Sequence, residues 1–127
     1  MPVATFDFDS TCTLPIWNEE DELWSVSDKP NNYIIREIQR LAASGYLVYI
    51  VSTRSEDQSA EVWEFVRKHN LPIVDVFCVD GDKGETLKRL NSDIHFDDME
   101  QRYDDANGLH PGIWIKIFHP ADLRKQV

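Results

Sequence analysis

Short, nearly continuous apolar runs alternate along most of this chain with segments whose apolar residues recur at a period near 3.6. Val3-Ala4-Thr5-Phe6-Asp7-Phe8 is rich in β-formers and runs into Asp9, Ser10 and Thr11, which predicts a first strand with a polar end. Ile34, Ile35, Ile38, Leu41 and Ala42 recur at helical spacing, and Gly45 stands where a helix C-terminal glycine belongs. Tyr46 to Val51 is nearly continuously apolar, predicting a second strand that opens into Ser52-Thr53-Arg54-Ser55. Val62, Trp63, Phe65 and Val66 mark a helix that stops near Asn70 and Pro72. Ile73 to Val79 predicts a third strand. Asp82 and Glu85 have capping-box spacing for a short helix through Leu90, with Lys83 at its start. Ile94-His95-Phe96 predicts a brief strand ending in Asp97-Asp98; a helix is expected from about Met99 to Ala106 and a last strand from Ile113 to Phe118.

Between Leu14 and Asn32 the periodicity disappears. Trp17 and Trp24 flank Asn18-Glu19-Glu20-Asp21-Glu22, so this stretch reads as a long loop or small flap with a solvated acidic tip. The two tryptophans either stack on a ligand or anchor the flap to the core. Strands that alternate with helices and read as continuously apolar predict an α/β fold, a three-layer Rossmann-like parallel sheet with helices on both faces. With 127 residues and no repeat or linker, a single domain spanning 1-127 is expected, with 14-32 as its cover segment and no separate cap domain.

Thirteen Lys and Arg against 23 Asp and Glu leave a net charge of −10, which disfavours a protein that coats nucleic acid by neutralising phosphates. The longest apolar stretch is far below the roughly 18 residues of a membrane span, and Asp7 and Asp9 interrupt any secretory start, so a cytoplasmic protein is expected. Cys12 and Cys78 form no C-x-x-C and are expected to be idle thiols.

In parallel sheets the ligand site lies beyond the carboxyl ends of the strands, and here those ends carry the reactive side chains. Asp7 and Asp9 follow the first strand, Ser52, Thr53 and Arg54 the second, and Asp97 and Asp98 a later one, while Lys83 opens a helix. Carboxylates about 4 Å apart repel by roughly 1 kcal/mol in water and about 4 at an effective surface dielectric, so such a cluster calls for a cation. Oxygen-only ligands suit Mg²⁺, which prefers one or two carboxylates plus water and a substrate phosphate. Lys83 and the Ser52 hydroxyl suit the phosphate's oxygens. Taken singly, Asp97-Asp98 also reads as a helix N-cap pair, and Arg54 as a contact to substrate or to solvent. His69, His95, His110 and His119 show no ligand spacing and are expected to be structural or exposed.

Asp7-x-Asp9-x-Thr11 after a strand, Ser52 after a second, Lys83 at a helix start and Asp97-Asp98 after a late strand resemble, in that order, the haloacid dehalogenase (HAD) superfamily. The resemblance spans Val3 to about Ile117. It implies that Asp7 attacks phosphorus to form an aspartyl-phosphate and that Asp9 acts as general acid and then general base. It further implies Mg²⁺ held by Asp7, by the backbone carbonyl of Asp9, and by Asp97 or Asp98. Thr11 would brace the Asp7 loop, Ser52 and Lys83 would hold the phosphoryl group, and Thr53 and Arg54 would face substrate. Family members often carry Gly where this chain has Ser10, so a more constrained turn is expected there.

The implied activity is that of a phosphomonoesterase acting on a nucleotide or other small phosphorylated metabolite. Val51-Ser52-Thr53-Arg54 and Phe96-Asp97-Asp98 also look like the phosphatase modules of polynucleotide kinase-phosphatases, which brings in a phosphorylated nucleic-acid end as an alternative substrate. A receiver-like, phosphorylation-dependent binding module uses similar residue types in a different order along the chain. Capless relatives often close their sites by oligomerising, which leaves a homo-oligomer open.

Overall fold

All four residues of β1 (Val3–Phe6) are buried, because this strand is the centre of the sheet and is covered on both faces. The computed structural model describes residues 1–80 and 83–98 and the backbone of 114–117, with Trp24 described by its backbone alone. After β1 come a short hairpin of β2 (Ile16–Asn18) and β3 (Leu23–Ser25), then α1 (Asn32–Ala43) and β4 (Leu47–Ser52). The chain continues through α2 (Ser59–Lys68), β5 (Asp75–Cys78), α3 (Gly84–Arg89), β6 (Ile94–Asp97) and β7 (Trp114–Ile117). The main sheet has five strands in the order β5-β4-β1-β6-β7, and every pairing in it is parallel. The chain first builds outward from β1 through β4 to β5, then returns across α3 to lay β6 on the other side of β1. Strand order therefore reverses at β1, where a ligand crevice is expected in such sheets.

Side chains of alternate parity build the two faces. Ala4, Phe6, Val48, Ile50 and Phe96 meet Ile34, Ile38 and Leu41 of α1 and Val62, Phe65 and Val66 of α2. Each of these side chains larger than alanine contributes about 1.5–3 kcal/mol when fully buried. Phe6 and Phe96 stack with ring centroids 4.4 Å apart, fixing β1 against β6. Val51 points to the opposite face and packs against Leu87 of α3. Three layers result, as the sequence pattern predicts.

The segment read as a loop or flap contains an antiparallel hairpin in which Trp17 lies opposite Trp24. Three-residue strands are too short to display a period of two, which is why the sequence shows no strand there. The base of the hairpin is tied down by hydrogen bonds from Leu14 N–H to the Lys29 carbonyl at 2.8 Å and from Asn31 N–H to the Cys12 carbonyl at 2.8 Å. The helix expected from Met99 to Ala106, the Asp82 cap, His110 and His119 lie outside the described residues, as do the ends of the last predicted strand. Among the described residues no helix is long and apolar enough to cross a membrane.

Gly45 follows α1 with φ of +96°, and nothing lies within 4 Å of where its Cβ would be. Gly45→Ala is therefore expected to cost about 1 kcal/mol through backbone strain alone, read as a lower denaturant midpoint at unchanged m-value.

Candidate functional site

The carboxyl ends of β1, β4 and β6 bring the sequence-predicted residues together. Asp7 follows directly on β1, Ser52 is the last residue of β4, and Asp97 is the last residue of β6. Lys83 immediately precedes α3, and its side chain is wholly buried. Its Nζ donates to Asp7 Oδ1 at 2.5 Å and to Asp97 Oδ2 at 3.2 Å. The other Asp7 oxygen, Oδ2, accepts the Thr11 hydroxyl at 3.1 Å. The Cys12 thiol donates to the Asp7 backbone carbonyl at 3.2 Å, and burial beside Asp7 pushes that thiol's pKa well up, so it stays protonated.

Asp7, Asp97 and Asp98 each present a carboxylate oxygen, and the three lie within 4.8 Å of one another. One lysine does not neutralise three carboxyl groups. Burial, hydrogen bonding to Asp7 and the charges of Asp7 and Asp97 push the Asp98 carboxyl up to about 8, so near neutral pH a proton occupies the position that a cation can take. This donor set, made of hard oxygens in excess of local positive charge, can hold a divalent metal ion.

His95 is a member of the site that sequence reasoning set aside. It is fully buried, its Nε2 lies 3.0 Å from Asp97 Oδ2, and its Nδ1 lies 2.7 Å from Thr5 Oγ1. Burial lowers its pKa against the opposing pull of the Asp97 hydrogen bond. The neutral ring therefore donates from Nε2 to Asp97 and accepts the Thr5 hydroxyl at Nδ1, a hydrogen bond and not an ion pair. Strand periodicity was the available signal: residues two apart share a face, which places His95 beside Asp97.

Asp9 turns to a different partner. Arg54 grips it through Nε to Oδ2 and Nη2 to Oδ1, both at 2.9 Å, and reaches Glu61 Oε2 through Nη1 at 2.8 Å. The bond to Asp9 is the main reason the guanidinium pKa is raised. Arg54 also lies 5.1 Å from the centroid of Phe8, and its backbone N–H donates to Ser52 Oγ at 3.1 Å. Arg54, read from the sequence as a contact to substrate or to solvent, here holds Asp9 and Glu61 while still lining the neighbouring groove. Between Asp7 and Thr11 the chain turns through Ser10 in the left-handed region, φ 62° and ψ 14°, with the Ser10 N–H donating to Thr13 Oγ1 at 3.1 Å. The turn adopts the conformation that suits glycine without having one.

An open pocket of about 260 Å³ rises over this floor, lined by Asp7, Asp9, Thr53, Asp97 and Asp98, with Val26 reaching in from the hairpin side. Its shape and chemistry are those of an acidic, oxygen-rich crevice at the strand-order reversal of an α/β sheet. No protein-family model matches the chain, and no curated protein matches it. Among solved structures it is similar to a chain of a Pnkp1/Rnl/Hen1 complex, with a TM-score of 0.65 at 15% sequence identity. That likeness covers 93% of this chain and 46% of the other, and it establishes the α/β fold.

Two outcomes follow from the charge arrangement. Asp98 has a folded pKa above its ordinary 3.8, so its protonated form stabilises the metal-free fold fully below about pH 4, and that stability is lost as pH rises through about 8. The melting temperature of metal-free protein is expected to fall by several degrees between pH 5 and pH 8.5, and Asp98→Asn to flatten that slope; an identical slope in the variant would exclude Asp98 as its source. Lys83→Met leaves Asp7 and Asp97 buried without their counter-charge and is expected to cost about 3–5 kcal/mol in denaturant unfolding.

Proposed function

We propose that residues 1-127 form one hydrolase domain of the HAD type, a Mg²⁺-dependent phosphomonoesterase whose substrate is a nucleotide or other small phosphorylated metabolite. The observation that carries this reading is the position of Asp7. Both its oxygens are held, by Lys83 and by Thr11, at the floor of an open pocket beside two further carboxyl groups. A carboxylate so oriented suits in-line attack on phosphorus.

Asp7, Asp97 or Asp98, and the Asp9 backbone carbonyl would hold Mg²⁺, which supplies neutralisation of the substrate phosphate. Asp7 attacks phosphorus, the ester P–O bond breaks with its electrons on the leaving oxygen, and the Asp9 carboxyl gives that oxygen its proton. Asp9, now a carboxylate, takes a proton from water, which attacks the aspartyl-phosphate and frees inorganic phosphate and Asp7. Lys83 holds Asp7 and offsets the negative charge gathered around it. Ser52 and Thr53 border the phosphoryl group. Arg54 orients the Asp9 carboxyl through its bidentate contact, and Glu61 holds the guanidinium from its other side.

A phosphorylated nucleic-acid end is the second reading. The sequence likeness at 51–54 and 96–98 favours it, and the fold likeness to a chain of the Pnkp1/Rnl/Hen1 complex is compatible with it. A receiver-like role lacks comparable support, because the strand that would carry its acceptor acid, β5, is followed by Val79 and the exposed Asp80 at the sheet edge.

Phosphate release from nucleoside monophosphates, sugar phosphates and a 3′-phosphorylated oligonucleotide tests the reading. Activity is expected to need Mg²⁺, to vanish in EDTA, and to fall at least about a thousandfold in Asp7→Asn. Turnover that survives either change rules out this mechanism.

A further inference from the structure

We propose that the groove between the hairpin and α2 receives the leaving group of the phosphomonoester, and that it selects an uncharged, nucleoside-sized alcohol over one bearing a second phosphate. This inference rests on the phosphomonoesterase reading and narrows its substrate.

The groove has a volume of about 350 Å³, within the range of pockets that hold small organic ligands. It adjoins the carboxylate pocket, since Val26 lines both. Arg54 lines the groove and holds Asp9, so the group that protonates the leaving oxygen sits at the boundary between the two spaces. When the ester bond breaks, the electron pair on that oxygen takes the Asp9 proton, and the neutral alcohol is released on the groove side.

The walls define what fits. Phe8 and Phe65 meet edge to face, with centroids 5.2 Å apart and planes at 86°, and give the groove an apolar, aromatic side. Among the described residues, its charged side chains are Arg54 and Lys68 against Asp28, Glu61 and Glu64. Three of the guanidinium's N–H groups are already spent on Asp9 and Glu61. That leaves Lys68 facing Asp28 and Glu64, a balance that repels a second phosphate while offering carboxylate acceptors to hydroxyl or amine donors. Among the described residues, the depression on the other side of Arg54, lined by Thr53, Ser55, Glu56, Cys78 and Asp80, has no aromatic wall. An oligonucleotide end carries a further phosphate next to its terminal nucleoside and is disfavoured by the same field.

Glu64 and Lys68 are exposed positions on α2, so reversing their charges leaves the core intact. The test compares kcat/KM for nucleoside 3′- and 5′-monophosphates, a nucleoside 3′,5′-bisphosphate, a 3′-phosphorylated oligonucleotide and p-nitrophenyl phosphate, at low salt with Mg²⁺. The better monophosphate is expected to exceed the bisphosphate by at least about tenfold. Glu64→Lys should narrow that ratio about fivefold and Lys68→Glu should widen it by a similar factor, both effects shrinking in high salt. Damage to the fold would not give opposite signs. The proposal is overturned if the bisphosphate or oligonucleotide is turned over as fast as the monophosphates, or if neither reversal moves the ratio. Mg²⁺-dependent hydrolysis of p-nitrophenyl phosphate in those cases leaves the hydrolase reading standing, whereas no hydrolysis of any ester overturns both.

Discussion

The Lys83 ammonium, sealed from solvent between Asp7 and Asp97, is the constraint around which the rest of this molecule is arranged. A buried cation needs its partners, and a buried carboxylate needs a cation, because either left alone costs several kcal/mol. Meeting both demands requires the start of α3, the end of β1 and the end of β6 to arrive at one point. The sheet order and the Phe6–Phe96 stack beneath hold them there. His95 completes the support from below, presenting a neutral N–H to the Asp97 oxygen that Lys83 also touches.

Two neighbouring acids end in opposite environments. Asp7 is buried, held through both oxygens and surrounded by other carboxyl groups, while Asp9, two residues on, is partly exposed and gripped by Arg54. Under the proposed function, that split would divide nucleophilic from acid–base work between two residues of one type. The left-handed turn at Ser10 follows both acids and redirects the chain, and the Thr11 hydroxyl just beyond it donates back to Asp7.

The fold was legible in the sequence because its signals are local and strong. Continuous apolar runs marked the buried strands, helical spacing marked α1 and α2, and Gly45 marked the end of α1. The hairpin escaped notice because its strands are too short to show a period. The convergence of most candidate-site side chains was legible too, because they stand just past the apolar runs where a parallel sheet places its ligands. The order of those side chains, and not any single one, carried the signal.

What could not be read along the chain was pairing. Lys83 meets Asp7 across 76 positions, and Arg54 meets Asp9 across 45. Nothing in composition distinguishes Arg54 as the holder of Asp9 from an arginine in solvent, or His95 as the support of Asp97 from an idle histidine. Element type depends on neighbours within a few residues, which a sequence states outright. Partner choice, burial and protonation depend on distances and dielectric between segments far apart in sequence, and these exist only once the sheet has closed over its core.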